Sequence, residues 1–309
     1  MKPRVLKLGT RGSALALWQA NWVKKELEKL GAASSGWTVE LVPIKTTGDK
    51  IIDVPLANMG GKGLFTKELD EALLEGQIDL AVHSLKDVPV QLPEGIDLAA
   101  VPQREDPRDA FLSDGRTLEQ LPAGARIGTS SLRRQVQLRH HFPSLDLINL
   151  RGNVDTRLRK LAAGEFDGIV LAVAGLKRLG HESKISQILD DHIMISAVGQ
   201  GAMGVMCRRG DQETHRYLAA LEDGPTRTAI TAERALLRIL GGSCQVPIGG
   251  IARVSGNKIH IRGLVASLDG KRTVTADLHG DAADANDLGL RLGQKLLDTG
   301  AGEILAEII

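Results

Sequence analysis

Cys244 stands in GGSCQVPIGG, residues 241–250, between a glycine pair and a Val-Pro step. A thiolate is the nucleophilic form of cysteine, and a glycine-flanked turn leaves whatever it carries free to move. The only other cysteine, Cys207, falls in the strand-like GVMC, so at most one disulfide is available. The N-terminus has no apolar run followed by a small-residue cleavage site, and a reducing cytoplasm is the expected location. Cys244 is then free or covalently used. A second chemical pair is Lys86 and Asp87 in HSLKDVPV, residues 83–90, where the apolar run IDLAVHS ends. Strand ends are where α/β proteins bind ligands, although a solvated ion pair would place the same residues there. If the backbone stays extended, neighbouring side chains point to opposite faces and only one of the two can aim at a ligand.

A third feature is a basic stretch. Arg126, Arg133, Arg134, Arg139, Arg151, Arg157, Arg159 and Lys160 are opposed between 126 and 160 by Asp146 and Asp155 alone, whereas the whole chain balances 39 Lys/Arg against 38 Asp/Glu. An anionic ligand or a solvated basic face would each produce it. Nucleic acid is not expected, because aromatics make up 3% of the chain and only Phe142 is interleaved with these arginines. Other patterns are decoys. GQGAMG, residues 199–204, fits a dinucleotide fingerprint but runs into the strand-like VMC and not a helix. GGKG at 60–63 lacks the spacer and the Gly-Lys-Ser/Thr ending of a phosphate loop. The eight histidines show no metal-ligand spacing, so no metal is expected, and His83 reads as a satisfied core histidine.

The elements that must position these residues follow an α/β pattern over the first 200 residues. VLKLGT leads into a helix over Ser13–Leu30, TVELVPIKT follows, and a helix from about Phe65 to Leu74 precedes the strand IDLAVHS. A second series runs from ARIGTS into SLRRQVQLRHHF, from LDLINL into VDTRLRKLAAG, and from FDGIVLAV into AGLKRLG. LGTRGSALALWQA and IGTSSLRRQVQLR open the two series alike, a strand, Gly-Thr, a serine and a helix, which reads as an internal repeat. In each, the serine can cap the helix while first-turn N–H groups remain for an anion. The charged segment PQREDPRDAFL, with prolines at 102 and 107, is the expected hinge, and two lobes facing a cleft are the expected arrangement. GAMGVMCRR reads as a strand returning to the first lobe, followed by helices over Gln212–Leu221 and Thr226–Leu240. PIGGIARVSGNKIHIRGLVASLDGKRTVTADLHG then reads as three antiparallel strands, with a helix from about Asp284 to Asp298. The expected domains are 1–101 with 197–220, 102–196, and 221–309. No stretch approaches the roughly 18 apolar residues of a membrane span.

GTRGS, GGKGLFTKEL, AVHSLKDVP, GTSSLRRQ, LRGNVDTRL, AVAGLKRLG, AVGQGA and GGSCQVPIG occur in this order along nearly the whole chain. In that constellation the sequence resembles the porphobilinogen deaminases, also called hydroxymethylbilane synthases. Two positions depart from the pattern: Asn58 stands where many members carry lysine, which weakens any anion contact there, and Ala14 where proline is common. The resemblance implies two periplasmic-binding-protein-like α/β lobes around a cleft and a small α+β C-terminal domain. It implies a cytoplasmic, monomeric transferase of porphyrin and heme biosynthesis that joins four porphobilinogen molecules head to tail, releasing ammonia, and frees hydroxymethylbilane by hydrolysis. It also implies one dipyrromethane cofactor per chain, held through a thioether to Cys244.

On the same resemblance Asp87 is catalytic, and Lys86, Asp87, Thr129, Ser131, Arg133, Arg134 and Arg151 contact the cofactor. Arg11, Ser13, Lys62, Phe65, Arg151, Arg157, Arg178 and Gln200 contact substrate. Each pyrrole brings an acetate and a propionate, and Arg forks bind carboxylates bidentately without losing their charge. A non-catalytic two-lobed anion-binding protein would share the helix ends but not GGSC. A thiol hydrolase built on Cys244 would need a histidine partner that no motif supplies.

Overall fold

A computed structural model of the chain describes residues 4–34, 37–50, 63–241 and 246–308. Asn58, Lys62 and Cys244 lie outside the described residues. The strands are β1 (Arg4–Thr10), β2 (Trp37–Pro43), β3 (Leu80–Ser84), β4 (Ile96–Ala100), β5 (Asp109–Leu112), β6 (Arg126–Gly128), β7 (Asp146–Ile148), β8 (Gly168–Ala172), β9 (Gln187–Leu189), β10 (Met203–Arg208), β11 (Ile248–Ser255), β12 (Lys258–Ala266) and β13 (Thr273–Asp281). The helices are α1 (Ala14–Ser34), α2 (Thr47–Lys50), α3 (Lys67–Leu74), α4 (Leu132–His141), α5 (Val154–Ala162), α6 (Val173–Arg178), α7 (Gln212–Leu218), α8 (Gly224–Ile239), α9 (Ala285–Leu296) and α10 (Gly302–Ala306). They gather into two compact units that divide at Arg104/Glu105, Gly201/Ala202 and Arg227/Thr228.

The first unit holds a five-stranded sheet in the order β2-β1-β3-β10-β4. β1 is parallel to β2 and β3, and β10 runs antiparallel to both β3 and β4, so the expected return of GVMC to this sheet is met. Leu6, Leu8, Val23, Leu27, Leu80, Val82, Val205 and Cys207 form its core. Each fully buried Leu or Val stabilises the fold by about 1.5–3 kcal/mol, which makes the alternation of apolar residues in β1 decisive for its register.

The second unit contains two sheets. One has the order β7-β6-β8-β5-β9, with β6 parallel to β7 and β8, and β5 antiparallel to β8 and β9. This repeats the plan of the first sheet strand for strand, with three parallel strands, one reversed, and an outer strand. The likeness of the GTRGS and GTSSL segments therefore marks equivalent places, the ends of β1 and β6. The other sheet, β11-β12-β13, is antiparallel throughout, and its inner face packs Ile248, Ile259, Ile261 and Val265 against α8 and α9 through Leu236, Leu288 and Leu292. The mixed α/β class with a three-stranded C-terminal sheet is as expected.

One segment differs from expectation. Within PQREDPRDAFL, residues 109–112 are not linker but β5, buried at every position. Four residues behind a run of charges give too short an apolar signal to be read as a strand.

His83 on β3 is in the core, 5% exposed, but its Nε2 finds no hydrogen-bond partner among the described residues. Burial, reinforced by the charge of Arg11, holds its pKa down to about 4. The unfolded chain takes up this proton near pH 6.5 and the folded chain only near 4, so stability falls as pH drops through that window. At pH 5 this amounts to about 2 kcal/mol. Urea denaturation at pH 7 and pH 5 should show that His83→Gln loses less stability between the two than the parent does. Equal losses would mean that His83 does not drive the acid sensitivity.

Candidate functional site

In the first unit Arg11 and Ser13 follow the end of β1, Lys86 and Asp87 follow the end of β3, and Phe65 precedes α3. Ser13 stands immediately before α1, separated by Arg11 and Gly12 from the end of β1 at Thr10, and its Oγ accepts from the Ala16 N–H at 3.3 Å, capping α1 as expected. The Arg11 guanidinium lies over the Phe65 ring, 4.3 Å from its centroid. Gly48 permits this ring position, because a Cβ there would meet Phe65 at 2.2 Å. Such a cation–π contact holds a flexible arginine in place. Gln19 of α1 donates to the Ser84 hydroxyl at 2.9 Å, tying that helix to the end of β3.

Lys86 and Asp87 lie not in extended chain but in a single 3-10 turn, Leu85–Asp87. β3 stops at Ser84, the Leu85 N–H donates to the Ala202 carbonyl and the Val88 N–H to the Leu85 carbonyl. Pro89 then forces Val88 back to extended geometry, φ −93° and ψ 126°. Successive residues of a 3-10 turn are about 120° apart, so the choice between opposite faces does not arise. Both side chains are half-buried.

In the second unit Thr129 is buried at the end of β6, and its Oγ1 accepts from the Ser131 N–H at 3.3 Å. Ser131 occupies the N-cap position of α4 but makes no side-chain cap hydrogen bond, unlike Ser13. Arg133 and Arg134, on the first turn of α4, are each 5% exposed and converge on Asp109 of β5. Arg133 donates to Asp109 Oδ2 at 2.8 Å and to the Ile195 carbonyl at 2.7 Å. Arg134 donates to Oδ1 through Nε at 2.9 Å and Nη2 at 2.6 Å, and to the Val170 carbonyl at 2.8 Å. Gln200 adds a bond to Oδ1 at 3.1 Å and another to the Pro107 carbonyl at 2.7 Å. Burial pulls the Arg134 pKa down and Asp109 opposes it.

Asp109 was not legible as the partner of these arginines. The sequence places it in a charged segment, and only the pairing of β5 with β8 brings it beneath α4. Removing a fully buried carboxylate would leave two buried guanidinium groups without their counter-charge. Asp109→Ala should therefore cost about 3–5 kcal/mol in urea denaturation. A loss under about 1 kcal/mol would show that the arginines do not depend on it.

The remaining basic residues separate by environment. Arg178, at the end of α6, donates to the Gly201 carbonyl at 2.8 Å, and burial lowers its pKa to about 10, so it stays protonated at neutral pH. Gly201 has φ +85°, and a Cβ there would meet the Glu105 carbonyl at 2.4 Å, so glycine is required twice over. Arg157 on α5 donates to the Gly152 carbonyl at 2.8 Å, and Arg151 is half-buried just before that helix. Arg126 instead pairs with Asp167 at 3.3 Å, and Arg139 donates to the Leu268 carbonyl at 2.8 Å. The basic stretch is thus not one face. Cys207 is fully buried on β10, and burial pushes its thiol up to about 12.

These features define a mixed α/β protein that carries guanidinium and hydroxyl groups near strand ends in each of its two units. A family model described as porphobilinogen deaminase, dipyromethane cofactor binding domain, matches residues 6–216, and one described as porphobilinogen deaminase, C-terminal domain, matches residues 227–298. The porphobilinogen deaminase of Trichlorobacter lovleyi is 53% identical over 100% of this chain and 98% of its own. That of Geobacter sulfurreducens is 52% identical over 98% and 94%, and that of Syntrophotalea carbinolica 53% over 100% and 97%. Among solved structures, the periplasmic aliphatic sulphonate binding protein SsuA from Escherichia coli aligns with a TM-score of 0.42 at 12% identity, covering 77% of this chain and 70% of that one. The chain belongs to the porphobilinogen deaminase family.

Proposed function

We propose that this chain is a hydroxymethylbilane synthase: it joins four porphobilinogen molecules head to tail, with loss of ammonia at each addition, and releases the linear tetrapyrrole by hydrolysis. The observation that carries the reading is the full-length match to a family whose first domain is described by its dipyrromethane cofactor. The cofactor supplies a nucleophilic pyrrole carbon on which the chain is extended. Cys244 is assigned as its tether, since Cys207 is buried with a raised pKa and no other thiol exists.

The donor chemistry fits a group bearing acetate and propionate side chains. Thr129, Ser131, Arg133, Arg134 and Arg151 are assigned to the cofactor, together with Lys86 and Asp87. Arg133 and Arg134 come to this role already fixed by Asp109, so binding does not have to order them. Arg11, Ser13, Lys62, Phe65, Arg157, Arg178 and Gln200 are assigned to substrate, with Arg151 shared. When the aminomethyl C–N bond breaks, ammonia leaves with the bonding pair and the pyrrole becomes a cation. Asp87 is assigned as the fixed negative charge beside that pyrrole nitrogen. A cytoplasmic location is part of the proposal, because Cys244 must be a free thiol when the cofactor is attached and a reducing compartment keeps it so; a monomeric state is proposed on the family resemblance. The domains 1–101 with 197–220, 102–196 and 221–309 remain part of the proposal: each would hold one of the three sheets, whereas the chain gathers into two compact units that divide at Arg104/Glu105, Gly201/Ala202 and Arg227/Thr228.

The test is stoichiometry. Purified protein given porphobilinogen should release four ammonia molecules for each linear tetrapyrrole formed. Binding of porphobilinogen without ammonia release would favour an anion-binding protein instead.

A further inference from the structure

The strand register of the C-terminal sheet brings His260 beside Asp277 and His279, which stand two residues apart on one face of β13. His260 of β12 is paired directly with His279 of β13, and Arg262 with Asp277. Strand side chains alternate between faces, so His260, Asp277 and His279 share the outer face, opposite the one that buries Ile259 and Ile261. The two imidazole rings are stacked, with centroids 4.2 Å apart and planes 12° from parallel. The His260 Nε2 lies 3.6 Å from Asp277 Oδ2, and the His279 Nε2 3.9 Å from the same oxygen. One ligating atom from each residue lies within 4.8 Å of the others.

A tetrahedral ion with ligands at about 2.0–2.1 Å holds its donor atoms about 3.3 Å apart. Coordination requires the exposed His279 ring to turn out of its stack on His260, since stacked rings do not point their in-plane lone pairs at one ion, and the exposed Asp277 carboxylate to close on both. We propose that His260, Asp277 and His279 form a surface site for a late first-row divalent cation, with zinc as the representative ion and water completing its coordination. Two imidazoles and one carboxylate suit zinc, copper or nickel and do not suit magnesium or calcium. The cation would staple edge strand β13 to β12.

The surroundings set the strength. Arg253 of β11 is the cross-strand neighbour of His260, and its guanidinium is drawn to Asp191 at 2.5 Å. Arg262 of β12 is paired with Asp277 of β13, Lys258 with Asp281, and Lys295 of α9 reaches the Asp277 carbonyl at 3.5 Å. These positive charges oppose a cation and hold the expected affinity to the micromolar range. Burial and His279 keep His260 below the ordinary imidazole value, while Asp277 pulls the other way. The neutral ring is the form that binds metal.

The cofactor-loaded chain, stripped of metal by chelator dialysis, is titrated with zinc sulfate at pH 7.5 by calorimetry. The expected result is one equivalent bound with a dissociation constant on the order of 10 µM. Binding should weaken at least tenfold in His279→Ala and in Asp277→Asn, and in the parent at pH 5.5. Zinc should raise the melting temperature of the parent and not of His279→Ala. His279 is well exposed, so its replacement should leave porphobilinogen turnover and the circular dichroism spectrum unchanged. No binding up to 100 µM zinc, or binding unaltered in His279→Ala, would overturn the site; the latter would place the ion on other histidines.

Discussion

Asp87→Asn should add porphobilinogen about 10²–10³-fold more slowly than the parent, the usual cost of deleting one preorganised electrostatic partner. The substitution keeps shape and hydrogen-bonding capacity and removes the charge that would stabilise the pyrrole cation as ammonia departs. The fold should tolerate it, because among the described residues the turn at Leu85–Asp87 is held by backbone bonds from Leu85 to Ala202 and from Val88 to Leu85. Asp87→Glu keeps the charge and displaces it by one methylene, so it should retain more activity than the asparagine variant. Single-turnover addition to cofactor-loaded protein, with the mass of each enzyme–substrate complex followed in time, gives the rates. If Asp87→Asn adds substrate as fast as the parent, Asp87 is a strand-end ion-pair residue and nothing more.

Cys244→Ala should lack covalently bound pyrroles and form no tetrapyrrole above background. The matched control is Cys207→Ala. Cys207 is buried among Leu80, Val82 and Val205, and its raised pKa leaves almost no thiolate at neutral pH. That variant should keep both the cofactor and turnover. Loss of the adduct in Cys207→Ala and its survival in Cys244→Ala would invert the assignment.

Much of this was legible in the sequence because it depended on local rules. Apolar alternation marks β1 and β3, Ser13 marks the start of α1, and the turns at Ser255–Asn257 and Leu268–Lys271 separate the last three strands. Lys86 and Asp87 could be placed at a strand end for the same reason, but their 3-10 turn could not. It depends on a hydrogen bond from Leu85 to Ala202, more than a hundred residues away in the chain. Asp109 escaped because a single carboxylate in a charged run looks solvated until β5 is placed against β8 and under α4. The arginines it holds were legible as a basic run, yet their burial was not, and Arg126 in the same run turned outward to Asp167. His260 and His279 illustrate the same limit, since only strand register makes them neighbours.

The central claim is that Cys244 carries two linked pyrroles in the mature protein, and the intact mass of the unmutated chain under denaturing conditions tests it most directly. The account predicts one species, heavier than the 33.1 kDa sequence by a single dipyrromethane, with the added mass mapping to the peptide that contains Cys244. A fully active preparation whose mass equals the sequence value, with an unmodified thiol at 244, would contradict it.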